Sequence, residues 1–270
     1  MIIVLALVRR DLRGSRRADT PMPVRESEAI VLRTYPLGEG NLLVSFLSRV
    51  HGRLRGVANG ARKPKNRFGG TLEPLSHVRI WFFERETRDL VRISQCDLIE
   101  SFIDAQSDYS NSLALALASE VTEAVLGEKE VAELNFRLLL LTAQAVQSGT
   151  KLSLVLAYFA LWIVRLGGWL PRLDRCTRCG AELSGGAYAT EGQGLVCAAC
   201  RIPGQRALSK ESLRVARLML REKLEVVAKE PIGSGALAEV KDYMLDVVEQ
   251  HIERRLQSRR LLEESLEPLH

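Results

Sequence analysis

The fold is indicated first by the stretch EAIVLRTYPLGEGNLLVSFLSRVHGRLRGVA, residues 28–58. It holds three short runs rich in aliphatic and β-branched residues: EAIVLRTY, NLLVSFLSR and RLRGVA. Pro36, Gly38 and Gly40 fall in the first break between runs, and Gly52 falls in the second. Runs of this kind, bounded by proline and glycine, are typical of strands joined by tight turns.

Two more strand-like runs follow, HVRIWFFER at 77–85 and DLVRISQCDL at 89–98. Five short strands with almost no helical period predict a small closed barrel, and the five-stranded oligonucleotide-binding (OB) fold fits best.

The hydrophobic period changes after Phe102. Leu113, Leu117, Val121 and Val125 recur every four residues, which predicts an amphipathic helix. NFRLLLLTAQAV is apolar nearly all round, so the sequence predicts a buried helix there.

The run LSLVLAYFALWIV, 152–164, is shorter than the roughly 18 residues that a membrane span needs. Charged residues bracket it, so it is expected to be the central core helix of a helical domain, with no membrane association. Two further helices are predicted near Ser209–Lys223 and Ala236–Leu256. The predicted class is therefore multi-domain α+β: an OB-fold barrel followed by an all-α domain.

The expected boundaries are a tail at 1–22, the barrel at 23–101 and the helical domain at 102–270. The tail begins MIIVLALV and continues RRDLRGSRR, the reverse of a secretory signal, in which the charges come first. Because Met22 lies just before the first strand, translation from Met22 is an alternative, and little order is expected before Pro23.

The helical domain is predicted to carry a zinc module at about 174–203. Two C-x-x-C pairs, Cys176 with Cys179 and Cys197 with Cys200, are separated by 17 residues. This spacing is typical of a four-thiolate zinc site, which is closed and therefore structural. A redox-active pair or two disulfides are the alternatives, but neither a βαβ context nor an export signal accompanies the cysteines. Cys96, in a strand, is expected to be a buried apolar residue.

A basic stretch, HGRLRGVANGARKPKNRFGG, runs from 51 to 70 and contains six Arg or Lys residues and no acid. A loop this basic can follow a phosphate backbone, although a charged loop is often only solvated. Phe68 and Trp81 are candidates for stacking on bases. The alternative for Trp81, together with Phe83, is packing of the barrel against the helices. The predicted DNA-binding residues are Arg53, Arg55, Arg62, Lys63, Lys65 and Arg67.

The rest of the composition is unspecific. Apolar residues make up 46% and charged residues 26%, as in ordinary globular proteins, and the net charge is +5. No Walker loop, nucleophile elbow or His–carboxylate pattern is present, so the sequence predicts a binding protein rather than an enzyme.

Taken together, the chain resembles the bacterial recombination and repair mediator family RecO. The stretch from EAIVLRTY to GARKP, then GGTLEPLSHVRIWFF, are similar to that family's N-terminal barrel. YFALWIVRLGGWLPRLDRCTRCG resembles its passage from core helix into zinc segment. The resemblance covers roughly residues 24–244.

The resemblance implies binding of single- and double-stranded DNA, annealing of complementary strands, and help in loading recombinase onto strands coated by single-strand-binding protein. It implies RecR and the acidic C-terminal tail of single-strand-binding protein as partners, and a cytoplasmic, nucleoid-associated location. The family's basic surface and zinc ligands carry over to the six cations and four paired cysteines named above. An RNA-binding or transcription-associated adaptor with the same barrel and zinc ribbon is the alternative.

Overall fold

The computed structural model describes residues 23–84, 89–190 and 194–266. The predicted tail, 1–22, lies outside them. Five strands form the first part of the chain and helices form the second, so the predicted fold class is confirmed. The barrel strands are β1 Val24–Leu37, β2 Asn41–Ser48, β3 Gly52–Ala58, β4 His77–Phe83 and β5 Val91–Glu100.

The barrel closes in the order β1-β2-β3-β5-β4, with β4 pairing back to β1. All pairs are antiparallel except the short parallel contact between β3 and β5. Gly56 lies at that contact, where a Cβ atom would come within 2.9 Å of the Val91 and Ile93 side chains. Glycine therefore permits the close approach that shuts the barrel.

Strand alternation divides the barrel residues between two cores. Val44, Phe46 and Ile80 point inward with the other residues of the barrel core. Ile30 and Leu47 point outward and belong to the core of the helical domain. The barrel is consequently fastened to the helices through the outer face of β1 and β2, and that part of its outside is closed to ligands.

The helical part contains seven helices within the described residues. They are α1 Tyr109–Val125, α2 Glu133–Gln147, α3 Leu152–Leu166, α4 Lys210–Arg221, α5 Leu224–Val227, α6 Ser234–His251 and α7 Gln257–Leu266. The central helix predicted at 152–164 is α3, whose residues from Leu154 to Leu161 are all buried. None of the described helices is both long and apolar enough to cross a membrane.

Two predictions about helices need correction. The helix expected at Ala236–Leu256 ends at His251, and a separate helix, α7, follows. Glu253, between them, has a φ of 53°, a left-handed conformation that stops a helix. The buried helix expected at NFRLLLLTAQAV lies in α2 and is buried on one face only: Phe136 and Leu139 are buried, whereas Arg137 is exposed.

Candidate nucleic-acid interface and metal centre

The chain between β3 and β4, residues 59–76, is an irregular segment that we call the basic loop. Its four cationic side chains are all exposed, and none forms an ion pair with a carboxylate of the described residues. Unpaired charges on one short segment sum to a local positive potential. The four residues are Arg62, Lys63, Lys65 and Arg67.

The basic loop is held against the turn that joins β1 to β2. The Asn41 side-chain oxygen accepts a 2.8 Å hydrogen bond from the Gly60 amide. The Arg62 amide donates to the Gly40 carbonyl at 3.1 Å, and its guanidinium donates to the Gly38 carbonyl at 3.3 Å. In OB folds the β1–β2 turn is one of the loops that bind oligonucleotides, so the cations lie beside such a position.

Phe68 does not have the exposed ring that was predicted to stack on a base. Its side chain is 1% exposed and lies inside the barrel core with Leu72, one turn further along the loop. The Arg67 guanidinium covers the ring at 4.9 Å from its centroid. That prediction is wrong because the basic loop needs an apolar anchor, and Phe68 is the largest apolar side chain it has.

Arg53 and Arg55 do not share the open surface predicted for all six cations. Arg53 Nε donates to the Leu126 carbonyl at 2.9 Å, and its side chain is only 16% exposed. Arg55 Nε lies 2.6 Å from a Glu128 carboxylate oxygen, in the connection between α1 and α2. Arg53 is therefore committed to the junction with the helical domain, and Arg55, although 43% exposed, is paired with Glu128. Of the six predicted cations, the four loop residues are the ones without an acidic partner in the described chain.

Trp81 lies on the outside of the barrel, half-exposed. Its indole N–H donates to a Glu26 carboxylate oxygen at 3.0 Å, across the β1–β4 pair. Neither Trp81 nor Phe83 is among the side chains packed on the helical core, so the alternative role for them is wrong. Stacking of Trp81 on a base stays a prediction.

The four paired cysteines converge on one point. Their sulfur atoms all lie within 4.8 Å of one another, and the Sγ atoms of Cys179 and Cys197 are 3.7 Å apart. Four sulfurs at about 2.3 Å from a tetrahedral ion would be separated by about 3.8 Å, so the residues present fit such an ion. Four thiolates complete a tetrahedron and leave no position for substrate.

Short local structures place the two pairs. Cys176 and Cys179 lie in one turn, closed by a 2.9 Å hydrogen bond from the Gly180 amide to the Cys176 carbonyl. Gly180 has a φ of 75°, so the chain reverses there without strain on a side chain. Cys197 immediately precedes a short 3-10 turn, Ala198–Cys200, whose last residue is Cys200. A small sheet, β6 Ala187–Ala189, β7 Leu195–Val196 and β8 Ala207–Leu208, brings the turns together.

The thiols perturb each other strongly. Burial raises the pKa of Cys176, but amides of Cys179, Cys197 and Arg178 outweigh it and lower that pKa to about 6. Hydrogen bonds with Cys179, followed by burial, raise the pKa of Cys200 to about 12. Four sulfurs this close cannot all ionise without a cation between them. By contrast Cys96 is buried in the barrel core as predicted, and burial raises its pKa to about 11.

The sequence analysis missed a groove between α2 and α3, about 400 Å³ in volume. Leu134 and Leu141 of α2 and Trp162 of α3 supply apolar walls, and Arg137 lines it. Arg165, one turn after Trp162, places its guanidinium 5.0 Å from the centroid of that indole. In the sequence, the one sign of this groove was that α2 has more leucines than a single buried face can accommodate.

Within the described ranges, the cysteine cluster is the only group of three or more His, Cys, Asp or Glu side chains close enough to share a metal ion. The described side chains therefore bring no second such cluster beside the basic loop.

Comparison with known proteins agrees with this architecture. The family description "Recombination protein O N terminal" matches residues 22–102, and "Recombination protein O C terminal" matches residues 106–260. The first covers the barrel and the second covers most of the helical part.

Individual relatives match over most of the chain. A DNA repair protein RecO from Koribacter versatilis is 40% identical over 234 residues, covering 86% of this chain and 96% of that protein. One from Bifidobacterium adolescentis is 30% identical over 249 residues, covering 90% and 100%. Because both family descriptions match in order and the relatives align nearly end to end, the chain belongs to the RecO family of DNA repair proteins.

Proposed function

We propose that the protein binds DNA strands through the basic loop and promotes annealing of complementary single strands, without catalysing a covalent step. The observation that carries this proposal is the group of four exposed cations without acidic partners in the described chain, beside the β1–β2 turn of an OB barrel. The family's role in DNA repair supports DNA as the ligand.

The chemistry of annealing fits this surface. Two complementary strands repel each other through their phosphates, and Lys or Arg side chains that bind phosphate screen that repulsion. Contacts of this kind do not read bases, so the bases stay free to pair. Because Phe68 is buried, binding by the loop rests on charge, with little preference for sequence.

Zinc is the ion proposed for the four cysteines. A divalent ion that prefers thiolate ligands in a tetrahedral arrangement would neutralise much of the negative charge of the four ionised cysteines. When bound, zinc would supply cross-links within a module whose apolar residues, Leu183 and Leu195 among them, are buried in the core shared with the helices. Its role is structural, and DNA binding belongs to the barrel.

The remaining proposals concern partners. Following the family resemblance, the protein assists recombinase loading on DNA coated by single-strand-binding protein, together with RecR, at the nucleoid in the cytoplasm. The groove between α2 and α3 suits the acidic tail of single-strand-binding protein. Its apolar walls would take apolar side chains, and Arg137 and Arg165 would pair with carboxylates.

The test replaces Arg62, Lys63, Lys65 and Arg67 together by Ala. For single strands, log affinity falls with log salt by about 0.7 per phosphate neutralised, so this variant should lose roughly two to three units of slope. Annealing of complementary oligonucleotides should slow in parallel. A charge-matched control replaces exposed cations of the helical domain that form no ion pair in the described structure. These are Lys210, Arg221, Lys223 and Lys229.

The control should keep both the slope and the annealing rate. If the loop variant kept them as well, the DNA path would lie elsewhere and the proposal would fail. The same assay with complementary RNA strands addresses the adaptor alternative: faster annealing of RNA than of DNA would favour that alternative over the function proposed here.

A further inference from the structure

The structure assigns a positioning role to Phe68 and Asn66, which hold the four cations of the basic loop in a fixed arrangement before DNA arrives. This inference rests on the proposed function. Neither residue is placed in contact with DNA; each acts through the neighbouring cations.

Phe68 is the anchor on the barrel side. Its buried ring, together with Leu72, fixes the loop on the barrel core directly after the last cation. Arg67 lies over the same ring, so the anchor also orients one guanidinium. A basic loop without this anchor would keep all of its charge but lose its shape.

Asn66 is the internal clamp. Its side-chain oxygen accepts hydrogen bonds from the amides of Phe68 and Gly69, both at 2.9 Å. Its side-chain nitrogen donates to the Lys63 carbonyl at 3.1 Å. One short side chain thus ties the two ends of the segment 63–69, which contains three of the four cations.

Fixing the cations in advance matters because ordering them during binding opposes affinity. Immobilising a long side chain at an interface costs conformational entropy, and flexible backbone adds to this cost. Holding the cations in place before DNA binds therefore increases affinity without adding charge. Substitution of Phe68 or Asn66 should therefore change the affinity for DNA but not the salt slope, whereas substitution of the cations changes the slope.

The experiment compares Phe68→Ala and Asn66→Ala with Phe46→Ala. Phe46 is a fully buried phenylalanine of the same barrel core on β2, outside the basic loop. It controls for general loosening of the barrel, and Asn66→Ala keeps the test valid if both phenylalanine variants fold poorly. Phe68→Leu, which restores apolar volume, tests rescue. The probes are a labelled single-stranded oligonucleotide and trypsin, which can cut after Arg62, Lys65 and Arg67.

Phe68→Ala and Asn66→Ala should bind the oligonucleotide about three- to tenfold more weakly, at an unchanged salt slope. Trypsin should cut their loops at least about tenfold faster. Phe46→Ala should keep the affinity and the resistance of the loop, and Phe68→Leu should recover most of both.

If the loop of either variant were cut at the parental rate, or its affinity were parental, the inference would be overturned. If the quadruple loop variant also bound normally, the proposed site itself would fail, so the two failures are distinguishable.

Discussion

Arg53 and Arg62 lie on the same barrel and carry the same charge, but their surroundings differ. Arg53 donates to Leu126 in the helical domain, and its own carbonyl accepts from the Lys129 amide at 2.9 Å. Arg62 is exposed and contacts only the neighbouring turn. At the scale of single residues, two arginines of equal charge therefore differ in whether other groups of the protein already bind the guanidinium.

This difference predicts opposite phenotypes for two alanine variants. Arg53→Ala should lower the free energy of unfolding by about 1–3 kcal/mol, because the Leu126 carbonyl loses a charged donor. Its salt slope for DNA should not change. Arg62→Ala should leave stability within about 0.5 kcal/mol and reduce the slope. Urea denaturation and fluorescence anisotropy measure the two quantities, and a reduced slope for Arg53→Ala would contradict this assignment.

Gly52 shows the same junction from the backbone side. A Cβ atom there would lie 1.9 Å from the Glu130 carbonyl oxygen, and its φ is 71°. The barrel and the α1–α2 connection thus approach so closely that only glycine fits, and its lack of a side chain permits this backbone contact.

At the scale of elements, α7 is attached to α1 through a buried carboxylate. Glu120 accepts hydrogen bonds from the amides of Gln257 and Ser258 at the start of α7, and from Arg254. Burial would raise the pKa of Glu120, but these donors outweigh it, with the Ser258 amide first, and the pKa is lowered. A carboxylate is favourable at this helix end because the free amides and the helix dipole both point toward it.

The lowered pKa predicts acid sensitivity of this attachment. A carboxyl group whose pKa falls on folding stabilises the protein above its unfolded value of about 4.3. That contribution is lost as pH drops through the lower folded value. Glu120→Gln should remove it, so that stability falls less steeply below about pH 4. Glu225→Gln, at an exposed carboxylate of α5 without an ion pair among the described residues, is the control and should keep the parental profile.

The metal module is the second element whose stability can be tested. A zinc chelator should release one ion per chain and loosen the sheet β6–β8, because these strands are only two or three residues long and the ion would tie together the turns beside them. Binding of DNA by the barrel should survive. Metal analysis, thiol titration and proteolysis of 174–203 give the readouts. Disulfides between these cysteines under reducing conditions would contradict the metal assignment.

At the scale of the whole molecule, the basic loop and the groove belong to different parts of the chain. The loop projects from the barrel, whereas the groove is formed by α2 and α3. They present the same sign of charge in different settings: exposed cations on the basic loop, and arginines beside apolar walls at the groove.

This separation predicts independent binding. Arg137→Glu should weaken binding of a labelled peptide from the tail of single-strand-binding protein by at least about fivefold, because it reverses a charge that faces carboxylates. DNA affinity should not change. The quadruple loop variant should show the reverse pattern, and Lys151→Ala, immediately before α3, serves as a control. Loss of both ligands in one variant would show that the two surfaces overlap or communicate.

The sequence predicted the parts of this molecule that local pattern encodes. The runs bounded by proline and glycine predicted the first strands, the run at 152–164 predicted the central helix, and the two C-x-x-C pairs predicted the converging sulfurs. Within each strand, helix or cysteine turn the relevant residues are two to four positions apart, so their local geometry follows from backbone period. The small sheet then brings the two cysteine turns together.

The tertiary structure decided which predicted site residues are free to act. Arg53 is bound by a carbonyl 73 positions away, and Phe68 fills a core assembled from all five strands. The groove needs two helices side by side, and α7 is held by Glu120 from a distant helix. Whether a charge is paired or a ring is buried depends on residues that come into contact only after the barrel closes and the helices pack against it. Local hydrophobic periodicity does not encode these contacts.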